Sequence, residues 1–101
     1  MSVRCERNSE GLIFFVGGEI DHHGAKGILY EIDGELERNL GRCVAVDLSG
    51  VSFMDSSGIA VLLRIYRRVK EIDGRVTVRG TPEQAMKVLK AAGLQKLMKF
   101  E

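Results

Sequence analysis

The chain has 101 residues, a length that suits one domain built on a single modest core. Hydrophobic residues at 45% and charged residues at 29% exclude a disordered chain, and a net charge of +1 gives no bulk attraction to nucleic acid or to an anionic membrane. No apolar run approaches the ~20 residues of a membrane span, and charges occupy the place of a signal peptide's apolar region, so the expected location is the cytoplasm.

Residues 3–7 alternate apolar and polar, as a half-buried edge strand does. Ser9, Glu10 and Gly11 supply a turn, and residues 12–16 form an apolar run of strand length, so the chain opens with a hairpin. Residues 25–40 place Ala25, Ile28, Leu29, Ile32, Leu36 and Leu40 on one helical face, although Gly27 and Gly34 each disfavour the helix by about 1 kcal/mol. Residues 43–48 are almost continuously apolar, the pattern of a strand buried on both faces, and residues 49–54 read as a loop.

A second helix follows, with Ile59, Leu62, Leu63, Tyr66 and Val69 on its apolar face. Arg64, Arg67, Arg68 and Lys70 lie largely opposite, where basic side chains also suit the helix C-terminus. Asp73 and Gly74 close it, and residues 75–79 alternate as a strand. Thr81 as cap, Pro82 at the first helical position and Gln84 in a capping box predict a third helix. Its apolar face carries Ala85, Val88, Leu89 and Ala92, with Gly93 as terminator. Residues 97–100 complete the pattern as a last short strand. The order β-β-α-β-α-β-α-β predicts an α/β domain over residues 1–101 with a mixed, mostly parallel sheet and helices packed against it. Neither a linker nor a repeat divides it. Cys5 and Cys43, far apart and outside any C-x-x-C pattern, are read as core thiols and not as a disulfide or metal site.

Function points to the turn after the central strand, Phe53-Met54-Asp55-Ser56-Ser57-Gly58. Sites in open α/β sheets lie at the carboxyl ends of strands, and here two hydroxyls sit where a helix begins. Free N–H groups there favour an anion, and Gly58 leaves room for another backbone. The plainer reading is that Asp55 or Ser56 caps the helix. Residues 17–23, Gly17-Gly18-Glu19-Ile20-Asp21-His22-His23, are placed at the same sheet end, with capping by Asp21 as their plainer role.

The ordered blocks Gly18-Glu19-Ile20-Asp21-His22-His23, Val46-Asp47-Leu48-Ser49 and Ser52-Phe53-Met54-Asp55-Ser56-Ser57-Gly58-Ile59 resemble the anti-sigma factor antagonists of the sporulation type, members of the STAS domain family. The resemblance runs on through Arg64-Ile65-Tyr66, Gly74-Arg75-Val76-Thr77-Val78, Ala92-Gly93-Leu94 and Lys99-Phe100-Glu101. It implies a phosphorylation switch on Ser56, in which the unmodified protein binds an anti-sigma factor that is also a serine kinase and so frees the sigma factor. The kinase uses Mg-ATP, and a PP2C-type, metal-dependent phosphatase reverses the step. The partner-binding residues so implied are Asp21, His22, Asp55, Ser56, Ser57 and Gly58, with no catalytic residue, cofactor, metal, direct nucleic-acid contact or membrane contact in this chain. The switch is expected to act through surface charge and not refolding. Many members carry a further C-terminal helix, whereas this sequence stops at Glu101, soon after the last predicted strand.

Other readings have weaker support. A hydrolase would use Ser56 or Ser57 with His22 or His23 and Asp21 or Asp55, but no G-x-S-x-G elbow surrounds the serines. A nucleotide-binding STAS module lacks a phosphate loop of the G-x-x-x-x-G-K-[ST] type. A regulatory STAS subunit of a membrane transporter shares the fold, but the Asp21 and Ser56 blocks favour the sigma-regulating branch. Metal binding by His22 and His23 lacks further ligands at recognisable spacing. Phe53 and Met54 either meet a partner or tuck beneath the loop, and the Arg64, Arg67 and Arg68 face is either solvated or matched to an acidic surface.

Overall fold

The computed structural model of the chain describes residues 2–9, 11–39 and 41–101. Within them the elements run β1 (Ser2–Asn8), β2 (Gly11–Ile20), α1 (His22–Asn39), β3 (Cys43–Met54), α2 (Ser57–Lys70), β4 (Arg75–Arg79), α3 (Glu83–Ala91), a 3-10 turn (Leu94–Lys96) and β5 (Lys99–Phe100). The strands form one sheet in chain order, antiparallel between β1 and β2 and parallel thereafter. The expected α/β order is the observed one. Glu10 of the predicted turn and Leu40 of the predicted helix face lie outside the described residues.

Crossovers that advance in one direction with one hand place the helices on one face of the sheet. The burial pattern agrees. Leu12 aligns with Val44 and Val44 with Val76, Phe14 with Val46 and Val46 with Val78, and all six side chains are buried. The alternate row of Ile13, Ala45 and Thr77 is only half-buried. Residues 43–48 are therefore buried on one face and not on both, because the apolar run is interrupted where Asp47 points to the open side. There Arg79 pairs with Asp47 at 3.1 Å, and the Arg4 and Arg79 guanidinium carbons lie 4.3 Å and 5.8 Å from the Phe15 ring centroid. Cations cover this ring where a second helix layer would otherwise lie.

Burial drives the helices more than propensity does. The α1 helix runs through Gly27 and Gly34 because Ala25, Ile28, Ile32 and Leu36 make an unbroken buried stripe. In α2 the buried stripe is Val61, Leu62, Ile65 and Val69, wider than its spacing indicates, while Ile59, Leu63 and Tyr66 pack at its margin. The helix lies between α1 and α3, so it buries more than one face. Its basic side is partly neutralised internally. Arg64 donates to both Asp33 oxygens at 3.0 Å and 2.9 Å, and Arg68 lies 3.7 Å from the same carboxylate.

Four local expectations are revised. Pro82 is the N-cap of α3 and not its first residue, with no side-chain cap bond, and Thr81 Oγ1 is buried without a partner among the described residues. Ala92 is exposed beyond the helix, although Gly93 at φ 77° does end the segment in the left-handed region. The last strand is only Lys99–Phe100, because Leu97 closes the preceding 3-10 turn. Both cysteines are free; Cys43 is exposed and so is not a core thiol, while Cys5 is half-buried and packs against the margin of the core. Burial pushes the Cys5 thiol pKa up, with the Glu35 carboxylate adding to the effect, which keeps it in the unreactive protonated form.

Gly27 is exposed in mid-helix, and a Cβ there would meet nothing within 4 Å. Gly27→Ala should therefore stabilise the fold by up to about 1 kcal/mol. Urea unfolding should show a higher midpoint with an unchanged slope.

Candidate functional site

The site begins with a strand pair that extends beyond the rest of the sheet. Residues 49–54 are strand and not loop, and so are Gly17, Gly18, Glu19 and Ile20. Gly17 aligns with Gly50, Gly18 with Val51, Glu19 with Phe53 and Ile20 with Met54, with register shifts after Phe15 and Gly18. Serines and glycines are poor strand formers, so local propensity misreads a segment that pairing with its neighbour holds extended.

Ile20 and Met54 end together, and the Asp55 N–H donates to the Ile20 carbonyl at 3.0 Å. Asp21 and Asp55 therefore leave the sheet side by side, each opening a helix. Asp21 Oδ1 accepts the Gly24 N–H at 2.8 Å, and Asp55 Oδ1 accepts the Ser57 N–H at 2.7 Å. Both aspartates are caps. Ser56 occupies the N-cap position of α2 with φ −62° and ψ −15°, yet makes no side-chain cap bond. It is exposed, and its hydroxyl has no hydrogen bond among the described residues.

The Ser57 N–H, partly opposed by desolvation, holds the Asp55 carboxyl below its ordinary pKa, and the Ser57 hydroxyl, the His22 N–H and the His22 imidazole add to this. One carboxylate thus draws on donors at the starts of both helices. Those N–H groups are the ones a helix N-terminus would otherwise offer to a phosphate. Desolvation raises the pKa of Asp47, at the far end of the shared β3–β4 segment, but bonds from Ser49 and Arg79 outweigh it and leave the net shift downward.

His22 and His23 are exposed, with ring centroids 6.3 Å apart in an edge arrangement. Neither imidazole is hydrogen-bonded to Ser56 or Ser57 among the described residues, so the nucleophile–base contact of a hydrolase is missing. No group of three or more His, Cys, Asp or Glu residues suited to a metal occurs among the described residues. No helix among them is long and apolar enough to cross a membrane.

The Phe53–Met54 pair divides. Phe53 is 44% exposed, while Met54 is buried at 1% and lies beneath the loop. Gly58 sits over that methionine, where a Cβ would lie 2.5 Å from Met54 Cγ and Sδ. The close approach allowed by Gly58 is thus to a side chain and not to another backbone. Gly58 is itself buried, while Asp21, His22, Asp55, Ser56 and Ser57 gather at the carboxyl ends of the neighbouring strands β2 and β3. Sequence reading missed Gln84. Its side chain leaves the capping box to donate to the Met54 carbonyl and accept the Met54 N–H, each at 2.8 Å. No periodicity or motif signals a contact between residues so distant in sequence.

Two outcomes follow from this geometry. Gly58→Ala should destabilise by about 1–3 kcal/mol through overpacking, and the penalty should shrink in a Met54→Ala background, as a double-mutant cycle in urea would reveal. Asp55 and Asp47 titrate below their unfolded values, so the unfolded chain binds more protons as the solution becomes acidic. Their stabilisation is full above the ordinary carboxylate pKa and is lost as pH falls through the folded values, so Asp55→Asn should flatten the decline in stability below about pH 4.

The sequence profile of the STAS domain matches residues 2–101. The chain is similar to the "Anti-sigma F factor antagonist" of Paenibacillus polymyxa, 28% identical over 98 residues that cover 97% of this chain and 84% of the relative. Among solved structures it resembles unphosphorylated SpoIIAA, an anti-sigma factor antagonist, with a TM-score of 0.83 at 24% identity over 99% of this chain and 88% of the other. It also resembles the phosphorylated form of the Bacillus cell fate determinant SpoIIAA, with a TM-score of 0.75 at 25% identity over 99% and 91% of the two chains. The fold, the sheet order and a family match across residues 2–101 agree: the chain belongs to the STAS domain family.

Proposed function

We propose that this chain is an anti-sigma factor antagonist switched by phosphorylation of Ser56. The observation that carries the reading is the Ser56 hydroxyl, exposed and unbonded at the start of α2 while its neighbour Asp55 performs the capping. The Paenibacillus relative's name supports the function, and the existence of a phosphorylated Bacillus SpoIIAA supports the chemistry.

In this reading the unmodified protein binds an anti-sigma factor, through Asp21, His22, Asp55, Ser56 and Ser57, and releases the sigma factor. Phe53 adds an apolar contact beside them, and Gly58 acts from below by seating the loop on Met54. The anti-sigma factor is also a serine kinase, which transfers the γ-phosphoryl group of Mg-ATP to Ser56 Oγ as ADP departs. A PP2C-type phosphatase hydrolyses the phosphoserine and resets the cycle. The chain contributes the acceptor hydroxyl, and its partners perform the catalysis in the cytoplasm.

The phosphate brings about −1.5 to −2 charges to this site. Asp55 already engages the nearest helix-start donors, so they offer the phosphate little compensation, and Asp21 and Asp55 repel it. A coupling of ~1–3 kcal/mol corresponds to one to two orders of magnitude in affinity. Intact-mass analysis with the anti-sigma kinase of the same genome and Mg-ATP should show a single phosphate on wild type and none on Ser56→Ala. Binding should then weaken about 10–100-fold. An unmodified wild type, or a phosphate that persists in Ser56→Ala, would move the site or assign the protein to another STAS branch.

A further inference from the structure

We propose that Gln84 is a positioning residue for the Ser56 loop, its side-chain amide standing in for a missing strand at the end of β3; this rests on the reading of Ser56 as the phosphoacceptor. β4 pairs with β3 only as far as Arg79 opposite Asp47. Beyond that point β3 continues to Met54 with no strand on that side among the described residues. The backbone N–H and C=O of a strand residue point to the same side, and both need partners. Gln84 supplies both. Its Oε1 accepts the Met54 N–H at 2.8 Å, and its Nε2 donates to the Met54 carbonyl at 2.8 Å.

On the opposite side of the chain, the next N–H, that of Asp55, is held by the Ile20 carbonyl at 3.0 Å. The Met54 side chain is meanwhile clasped under Gly58. The peptide just before Ser56 is therefore fixed laterally from both directions and from beneath, and α3 provides one of those holds. Only an amide fits this role. Glutamate has no donor for the Met54 carbonyl, and an aliphatic side chain has neither group. Gln84 lies at the helix surface, so replacing it leaves the buried face of Ala85 and Leu89 intact.

The consequence concerns the transfer step and not docking. Asp21 and His22, at the start of α1, stay in place when Gln84 is changed, whereas Ser56 Oγ, in the loop after Met54, loses its fixed approach to the phosphoryl group. A misplacement of about 1 Å is enough to slow such a reaction strongly. Gln84→Met and Gln84→Glu should be compared with wild type in phosphorylation by the same-genome anti-sigma kinase and in amide hydrogen exchange. The expected result for Gln84→Met is exchange at the Met54 amide about tenfold faster, with Val46 and Val78 unchanged, and kcat about tenfold lower at a KM within about twofold; Gln84→Glu, which keeps an acceptor for the Met54 N–H and loses only the donor to its carbonyl, should fall between Gln84→Met and wild type. Unchanged exchange at Met54 in Gln84→Met overturns the clamp. Faster exchange with unchanged kcat overturns the positioning role. A wild type not phosphorylated on Ser56 overturns the underlying reading and the positioning role with it, and exchange at Met54 in the variants tells that failure from a failed clamp.

Discussion

Ile20 and Met54 are partners at the far end of the β2–β3 pairing, and the Asp55 N–H closes on the Ile20 carbonyl. The geometry of the candidate site depends on this one parallel junction. It brings the starts of α1 and α2 together, so two capping aspartates, two serines and a histidine share a small surface although α1 separates them in sequence. The pairing persists through glycines and serines because Gly17 and Gly50 let the two backbones run close, and because the buried Ile20, Val51 and Met54 anchor the ribbon over the core.

The charges at that site follow from the backbone. Two helices that start side by side present several free N–H groups, and Asp21 and Asp55 satisfy part of that demand. Ser56 is released from the capping duty that its position would normally assign to it. A hydroxyl with no structural task can be modified without removing a hydrogen bond from the fold. A phosphate added there meets carboxylates already in possession of the nearest donors. In the proposed switch the change is therefore one of surface potential, which an interface reads strongly and a packed core hardly notices.

Hydrophobic period and turn chemistry made the element order legible, along with the bounds of β4 and the apolar stripe of α1. The ordered residue blocks around Asp21 and Ser56 carried the family, and the structure gathers those blocks at one end of the sheet. What escaped sequence reading was decided by tertiary pairing and packing and not by local residue type. Residues 49–54 read as a loop because their types favour one, yet β2 holds them extended. Gln84 fitted a capping box, but a stronger bidentate bond to Met54 was within reach. Cys43 belonged to an apolar run, but its face of the sheet is left uncovered by helices. Gly58 gave a sign of close approach without naming Met54 as what approaches.

The central claim is that Ser56 modification changes the charge of this site and leaves the fold as it is. Backbone amide chemical shifts of the free and the Ser56-phosphorylated protein test it most directly. The account predicts changes confined to the neighbourhood of Asp21, His22, Phe53, Asp55 to Ile59 and Gln84, with the resonances of β1, β4 and the rest of α3 unmoved. Shift changes spread through the sheet and all three helices would contradict it and make the switch a conformational one.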